Sequence, residues 1–171
     1  MRKHAAEPGM PQAHLDSRRY RIQEALGREL EPIGSATGSL PREQIDYLVK
    51  EAEDLYWNEL AWEELTDEER VSGGHLTELV FPGLLAFVDG LLLESLPRGV
   101  AGEARPHPEV VEEILLFLAE RYAEATTSLE RGADSESLVW ARAMTAHLID
   151  LVLYRLYRVT PAERELLESR G

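Results

Sequence analysis

Apolar residues recur at intervals of three and four along most of this chain, the period of a helix with one buried face. Ile45, Leu48, Val49, Ala52, Leu55 and Tyr56 form one such stripe. They predict a helix that starts at Ser39 or Pro41 and runs to about Leu65. Ser39 can cap it, and Pro41 suits a first turn, where a missing N–H is no loss. Val111, Ile114, Leu115, Leu118, Tyr122, Ala125 and Leu129 form a second stripe, predicting a helix from Pro108 to about Arg131 that Gly132 ends. A third helix, from about Ser135 to Arg158, is apolar on most faces beyond Ala143. The segment from His75 to Leu96 is apolar nearly all round, which places it at the centre of a bundle. Pro82 is expected to kink it. Gly83, Ala86 and Gly90 lie near one of its faces, where another helix can approach closely.

Shorter signals fill the intervals. Asp16 is a plausible N-cap for a first helix reaching about Leu30, and Glu31 to Ser39 reads as a linker of small residues and helix breakers. Thr66-Asp-Glu-Glu69 and Thr160-Pro-Ala-Glu163 are capping boxes, each opening a short helix, the first of which Gly73-Gly74 closes. Pro97 to Pro108 is a loop. No alternating run bracketed by turn residues predicts a strand, and no repeat of 20–50 residues is evident. The expected fold is all-α, an antiparallel helical bundle of four long helices plus short N- and C-terminal helices. Its expected organisation is a disordered tail over 1–14, a mildly basic N-terminal helix and linker over 15–38, and a helical bundle domain over 39–171.

Composition sharpens this picture in two ways. A chain of 171 residues with 44% hydrophobic residues is long and apolar enough for one cored domain, unlike a disordered chain. Charge is less ordinary: 18 Lys+Arg against 32 Asp+Glu leave a net −14, which disfavours non-specific nucleic-acid binding. The sign is unevenly spread. Arg18, Arg19, Arg21 and Arg28 make the first helix basic, whereas Glu51, Asp54, Glu59, Glu63, Glu64, Asp67, Glu68 and Glu69 crowd one later segment. That acidic helix suits a basic partner, or imitates nucleic-acid charge. The chain has no cysteine, which fits a reducing cytoplasm and removes disulfides, thiolate metal sites and cysteine nucleophiles together. The polar stretch from Met1 to Leu15 lacks the apolar run of a signal peptide, and the most apolar segment, Leu79 to Leu93, is too short to span a bilayer and carries Asp89. A cytoplasmic protein with no membrane partner is expected.

Recognised catalytic signatures are missing. There is no Gly-rich phosphate loop ending in Lys-Ser/Thr, no GxSxG elbow and no HExxH. A di-iron bundle needs Glu three residues before His, and no histidine here has one. His75-Leu-Thr-Glu78 and His147-Leu-Ile-Asp150 each place two potential metal ligands on one helix face, but the wider spacings of a metal bundle do not follow, so no cofactor is expected. Asp89 and Asp150 each interrupt an apolar run, and a buried carboxylate needs an arginine, a backbone donor, or water. A metal or small-molecule site around Asp89, His75 and Asp150 is one alternative function. Another comes from Arg142-Ala-Met-Thr-Ala-His147, which resembles the Arg-x(4–6)-His motif of HEPN-type ribonucleases, themselves small helical bundles. The resemblance implies His147 as general base and Arg142 as phosphate clamp, across a dimer. The polar residue usual after that Arg and the aromatic usual after that His are absent.

Ile149, Asp150, Tyr154, Leu156, Tyr157, Thr160 and Glu163 carry a second resemblance. The segment 149–163 resembles the closing helix of bacterial restriction–modification DNA methyltransferases of type IIG and BREX systems, with Arg158 where those proteins usually carry Gly. It covers about 20 of 171 residues and lacks the methyltransferase's catalytic and cofactor motifs, so it implies a related helical module or a neighbouring system rather than methylation. The leading expectation is a non-catalytic helical interaction or regulatory protein, acting through a protein partner or self-association, in a bacterial DNA-modification or defence setting. Tyr56, Trp57, Trp62 and Trp140 are its expected contact residues, since aromatic side chains left over from a core are typical interface anchors.

Overall fold

A computed structural model describes residues 10–34, 40–60, 76–93 and 106–170. Every regular element among them is a helix: α1 (Met10–Leu26), α2 (Arg42–Glu59), α3 (Leu76–Val80), α4 (Pro82–Leu92), α5 (Pro108–Glu130), α6 (Glu136–Leu156) and α7 (Pro161–Arg170). None of these is long and apolar enough to cross a membrane. The Thr66–Glu69 capping box, Gly73-Gly74 and most of the loop before Pro108 lie outside the described residues.

The α5–α6 pair forms the most extensive helix contact. Val111, Ile114 and Leu118 from α5 meet Leu148, Ile149 and Val152 from α6 in one wholly buried cluster. The turn between them works as its sequence predicts. Gly132 takes a φ of 100° so that Ala133 N–H can reach back to the Ser128 carbonyl at 3.0 Å. Ser135 then caps α6, its Oγ accepting from Leu138 N–H at 3.2 Å. Against this pair α4 contributes Leu84, Val88 and Leu91, and α2 contributes Leu48 and Ala52. Tyr56 joins the layers. Its ring stacks on Phe81 at 5.7 Å and meets Phe117 edge-on at 5.5 Å. Its hydroxyl lies 2.9 Å from Thr145 Oγ1, whose own proton goes to the Ala141 carbonyl, so Tyr56 donates.

Pro82 does more than kink the apolar segment. Phe81, held before a proline, adopts φ −118° and ψ 51°, leaves the helical region, and separates α3 from α4. The break exposes the first N–H groups of α4, and Glu59, the last residue of α2, closes them. Its carboxylate accepts from Gly83 N–H at 2.6 Å and Leu84 N–H at 3.0 Å. A negative charge at a helix N-terminus also complements the helix dipole. Gly83 is needed for this approach, because a Cβ there would stand 2.5 Å from Glu59 Oε2 and 3.2 Å from Leu55 Cδ2. The close approach expected on the Gly83/Ala86/Gly90 face therefore occurs at the cap, while Ala86 is exposed.

The N-terminal region departs from expectation. The described helix begins at Met10, not Asp16, so residues 10–14 of the expected tail are helical, and Asp16 sits inside the helix, accepting from Gln12 and Arg19; residues 1–9 lie outside the described residues. It ends at Leu26, where Gly27 takes a φ of 70°. Tertiary contacts hold it. Leu15 and Ile22 enter the same core cluster as the later helices, as does Ile33 of the linker, so the described part of 15–38 packs against them. Arg18 pairs with Asp150, Arg19 Nε donates to Tyr157 Oη at 2.8 Å, and Arg28 pairs with Glu163 at 3.0 Å. His14 stacks on Tyr122 at 4.6 Å and accepts from Arg18 Nε at 3.1 Å. Burial, with Arg18 beside it, lowers the His14 pKa.

Two outcomes follow. Glu59→Ala should lower stability by about 1–2 kcal/mol in urea unfolding, through two uncapped N–H groups. Gly83→Ala should do likewise in the native chain, but less in the Glu59→Ala background, where the crowded carboxylate is gone. For His14, a folded pKa below 6.5 means that its stabilising contact is complete above that pH and is lost as pH falls from 6.5 towards the lowered value. His14→Phe, which keeps a ring on Tyr122, should therefore flatten the fall in melting temperature on mild acidification.

Candidate functional site

The outer face of α2 presents two exposed aromatic side chains. Tyr47 is 48% exposed and Trp57 54% exposed. Ten residues apart, they stand about 15 Å from each other along the axis, with Lys50, Glu51 and Asp54 between them on the same side. Lys50 is paired with Asp54 at 3.2 Å. The Glu51 carboxylate beside the Tyr47 hydroxyl raises the tyrosine pKa. Trp57 packs edge-on against Tyr56 at 5.0 Å, so one edge of the indole is fixed while the rest faces outward. An orientation held by a buried neighbour lowers the entropy lost when a partner binds.

The four aromatic residues expected as contacts separate. Tyr56 and Trp140 are 3% and 7% exposed and belong to the core, because the α4 and α5 rings close over Tyr56 and α6 turns Trp140 inward. Trp57 remains exposed. Trp62 lies outside the described residues. Tyr47 was not anticipated, although its position, two residues from buried Ile45 and one from buried Leu48, places it off the apolar stripe.

The residues expected to carry chemistry are dispersed. His147 is exposed and Arg142 partly so, yet five residues on one helix put them about 140° apart round its axis. Asp150 and Asp89 are 31% and 44% exposed at their side chains, not buried, and each takes an arginine: Arg18 for Asp150, and Arg155 Nε at 2.9 Å for Asp89. Glu78 accepts from Arg164 at 2.6 Å, and His75 lies outside the described residues. Among the described residues no group of three or more His, Asp or Glu is gathered closely enough to hold a metal ion.

A groove of about 670 Å³ runs between α4, the end of α6 and α7. Ile33, Leu92 and Tyr154 make its apolar part, and the Asp89–Arg155 and Glu78–Arg164 pairs line its sides. Burial first, then the Asp150 and Glu168 carboxylates, push the Tyr154 phenol up to about 12. Arg158 stands on the rim with a φ of 55°. It ends α6 as Gly132 ends α5, with Val159 N–H reaching the Tyr154 carbonyl at 2.8 Å. A left-handed arginine is costly where glycine is not. The segment 149–163 is thus accounted for by packing: Ile149, Leu156 and Tyr157 are buried, and Thr160 and Glu163 exchange the two bonds of a capping box at 3.0 and 3.1 Å.

Arg158→Gly should raise unfolding stability by about 0.5–1 kcal/mol, the relief of the left-handed backbone exceeding the extra entropy of unfolded glycine. A urea midpoint unchanged or lowered would show that the arginine side chain itself holds the α6–α7 corner. No protein-family model, curated protein or solved structure matches this chain.

Proposed function

We propose that this chain is a non-catalytic interaction protein, an antiparallel helical bundle whose α2 outer face binds a basic protein partner in the cytoplasm. The observation that carries this reading is the pair Tyr47 and Trp57, both about half exposed on one side of a single helix and bracketing Glu51 and Asp54. Large aromatic residues held at their base and open at their tips are the usual anchors of protein contacts. The carboxylates between them, on a chain of net charge −14, select a cationic surface and steer it at long range. The resemblance of 149–163 to the closing helix of restriction–modification methyltransferases supports a DNA-modification or defence setting.

The exposure of His147 favours a second reading, a HEPN-like ribonuclease with His147 as base and Arg142 as phosphate clamp. Since the two diverge on one helix, it requires a second copy to complete each site.

Trp57→Ala should weaken partner binding at least tenfold, as loss of an anchor does, while moving the urea midpoint by less than about 0.5 kcal/mol equivalent, as an exposed site does. Recovery of partners from native cells, compared between wild type and Trp57→Ala, checks the first, and unfolding checks the second. Equal recovery by both chains overturns the α2 reading. RNA cleavage by the wild type that His147→Ala abolishes would replace it with the ribonuclease.

A further inference from the structure

α1 is held by chemistry that is unusual for a packed helix. Leu15 and Ile22 are its buried aliphatic residues among the 17 that compose it. Leu26, partly buried, packs against the same core, and the remaining contact is polar and aromatic. Arg18 meets Asp150, the Arg19 guanidinium bonds the Tyr157 hydroxyl and lies 5.7 Å from its ring centroid, and Arg28 meets Glu163. The receiving face is drawn from three elements: Tyr122 of α5, Asp150 with Tyr157 just beyond the end of α6, and Glu163 of α7. It is an acidic, aromatic receptor for a helix carrying arginines.

The connection allows that helix to leave as a unit. Gly27 takes a left-handed φ of 70°, and nothing lies within 4 Å of where its Cβ would be. Ile33 is anchored, its N–H donating to the Leu156 carbonyl at 2.9 Å and its side chain buried. Between them lie Arg28, paired with Glu163 just past the end of α1, and Leu30, partly buried against the core; once these let go, residues 27–32 can span roughly 20 Å when extended. α1 can therefore leave while Ile33 stays in place, uncovering only the part of the core that Leu15 and Ile22 close, until the α1 of another copy covers it.

We propose that α1 is an exchangeable arm whose alternative receptor is a second copy of this chain. In the exchanged state each protomer's α1 lies on the α5–α6–α7 face of the other, forming a two-fold dimer. The occupant follows from charge complementarity already present in the sequence: the arm's arginines match the carboxylates of a face that every copy carries. The same contacts form within one chain or between two, so protein concentration and the 27–32 connection decide which is populated. This inference is independent of the α2 face, which takes no part in it.

Charge reversal across the docking site tests it on the full chain. Arg18→Asp sets two carboxylates against each other, and Asp150→Arg sets two guanidinium groups against each other, so each variant alone should lose its docked arm. Mixed in equal amounts, the two can form an exchanged dimer in which both docking sites pair opposite charges. One site joins the two substituted positions, and the other joins the two unaltered residues. Light scattering should show a species of twice 19.3 kDa in the mixture and in neither variant alone. The double variant, with both reversals in one chain, should behave as wild type. A mixture that stays monomeric while the double variant regains wild-type stability overturns the proposal. So does a peptide of residues 10–26 that binds Arg18→Asp chains while the mixture stays monomeric, since the face would then serve a basic helix of another protein. If a reversal prevents folding, the wild type decides the matter by sedimentation. Its mass should rise towards the dimer with concentration and fall back in Arg18→Gln, and a monomer throughout overturns the proposal.

Discussion

A proline inside the most apolar stretch of the chain imposes the constraint on which the other contacts depend. Once Pro82 separates α3 from α4, two backbone N–H groups at the start of a core helix must find acceptors. Glu59 supplies both from the far end of α2. That fixes where α2 stops relative to α4, and so sets Tyr56, three residues earlier, between Phe81 and Phe117. The buried hydroxyl of Tyr56 then requires Thr145, which ties α2 to α6. A carboxylate, a glycine without a Cβ and a phenol thus register three helices that apolar packing alone would allow to slide.

The opposite side of the molecule is held differently. Beside Leu15 and Ile22, α1 is docked through guanidinium groups and rings, and Arg18, Arg19 and, just past its end, Arg28 take acceptors from α6 or beyond it. Partly exposed ion pairs of this kind contribute little each, and their geometry more than their number sets orientation. Of the arginines that set the N-terminal segment apart in the sequence, Arg18, Arg19 and Arg28 are engaged within the fold and Arg21 is exposed.

Much of the helical framework was legible because its signals are local. The stripe from Val111 to Leu129, the Gly132 ending, the Ser135 cap and the Thr160–Glu163 box are each decided by residues within a few positions of one another, and α5, α6 and α7 follow them closely. The start of α1 was not legible, because its helical state from Met10 rests on Tyr122, Asp150 and Tyr157, more than a hundred residues away. The aromatic candidates failed for a related reason. α6 is apolar round most of its circumference, so periodicity cannot tell which flank Trp140 occupies, and Tyr56 looked spare until α4 and α5 closed over it. Asp89 and Asp150 interrupt apolar runs yet are partly exposed, and their partners Arg155 and Arg18 lie 66 and 132 residues from them. Arg158 holds a left-handed backbone that glycine would adopt more easily, a feature set by the turn after α6 and not by any local residue pattern.

The placement of Trp57 and Trp140 has a spectroscopic consequence. One indole stands half in water on α2, and the other is sealed inside the bundle on α6. Their fluorescence should differ in emission wavelength and in access to a soluble quencher. The red, quenchable component reports on the α2 surface, and the blue, protected one reports on the interior. With Trp62, the third tryptophan, replaced by phenylalanine, loosening of the core and occupation of the α2 face can therefore be followed separately in the unlabelled chain.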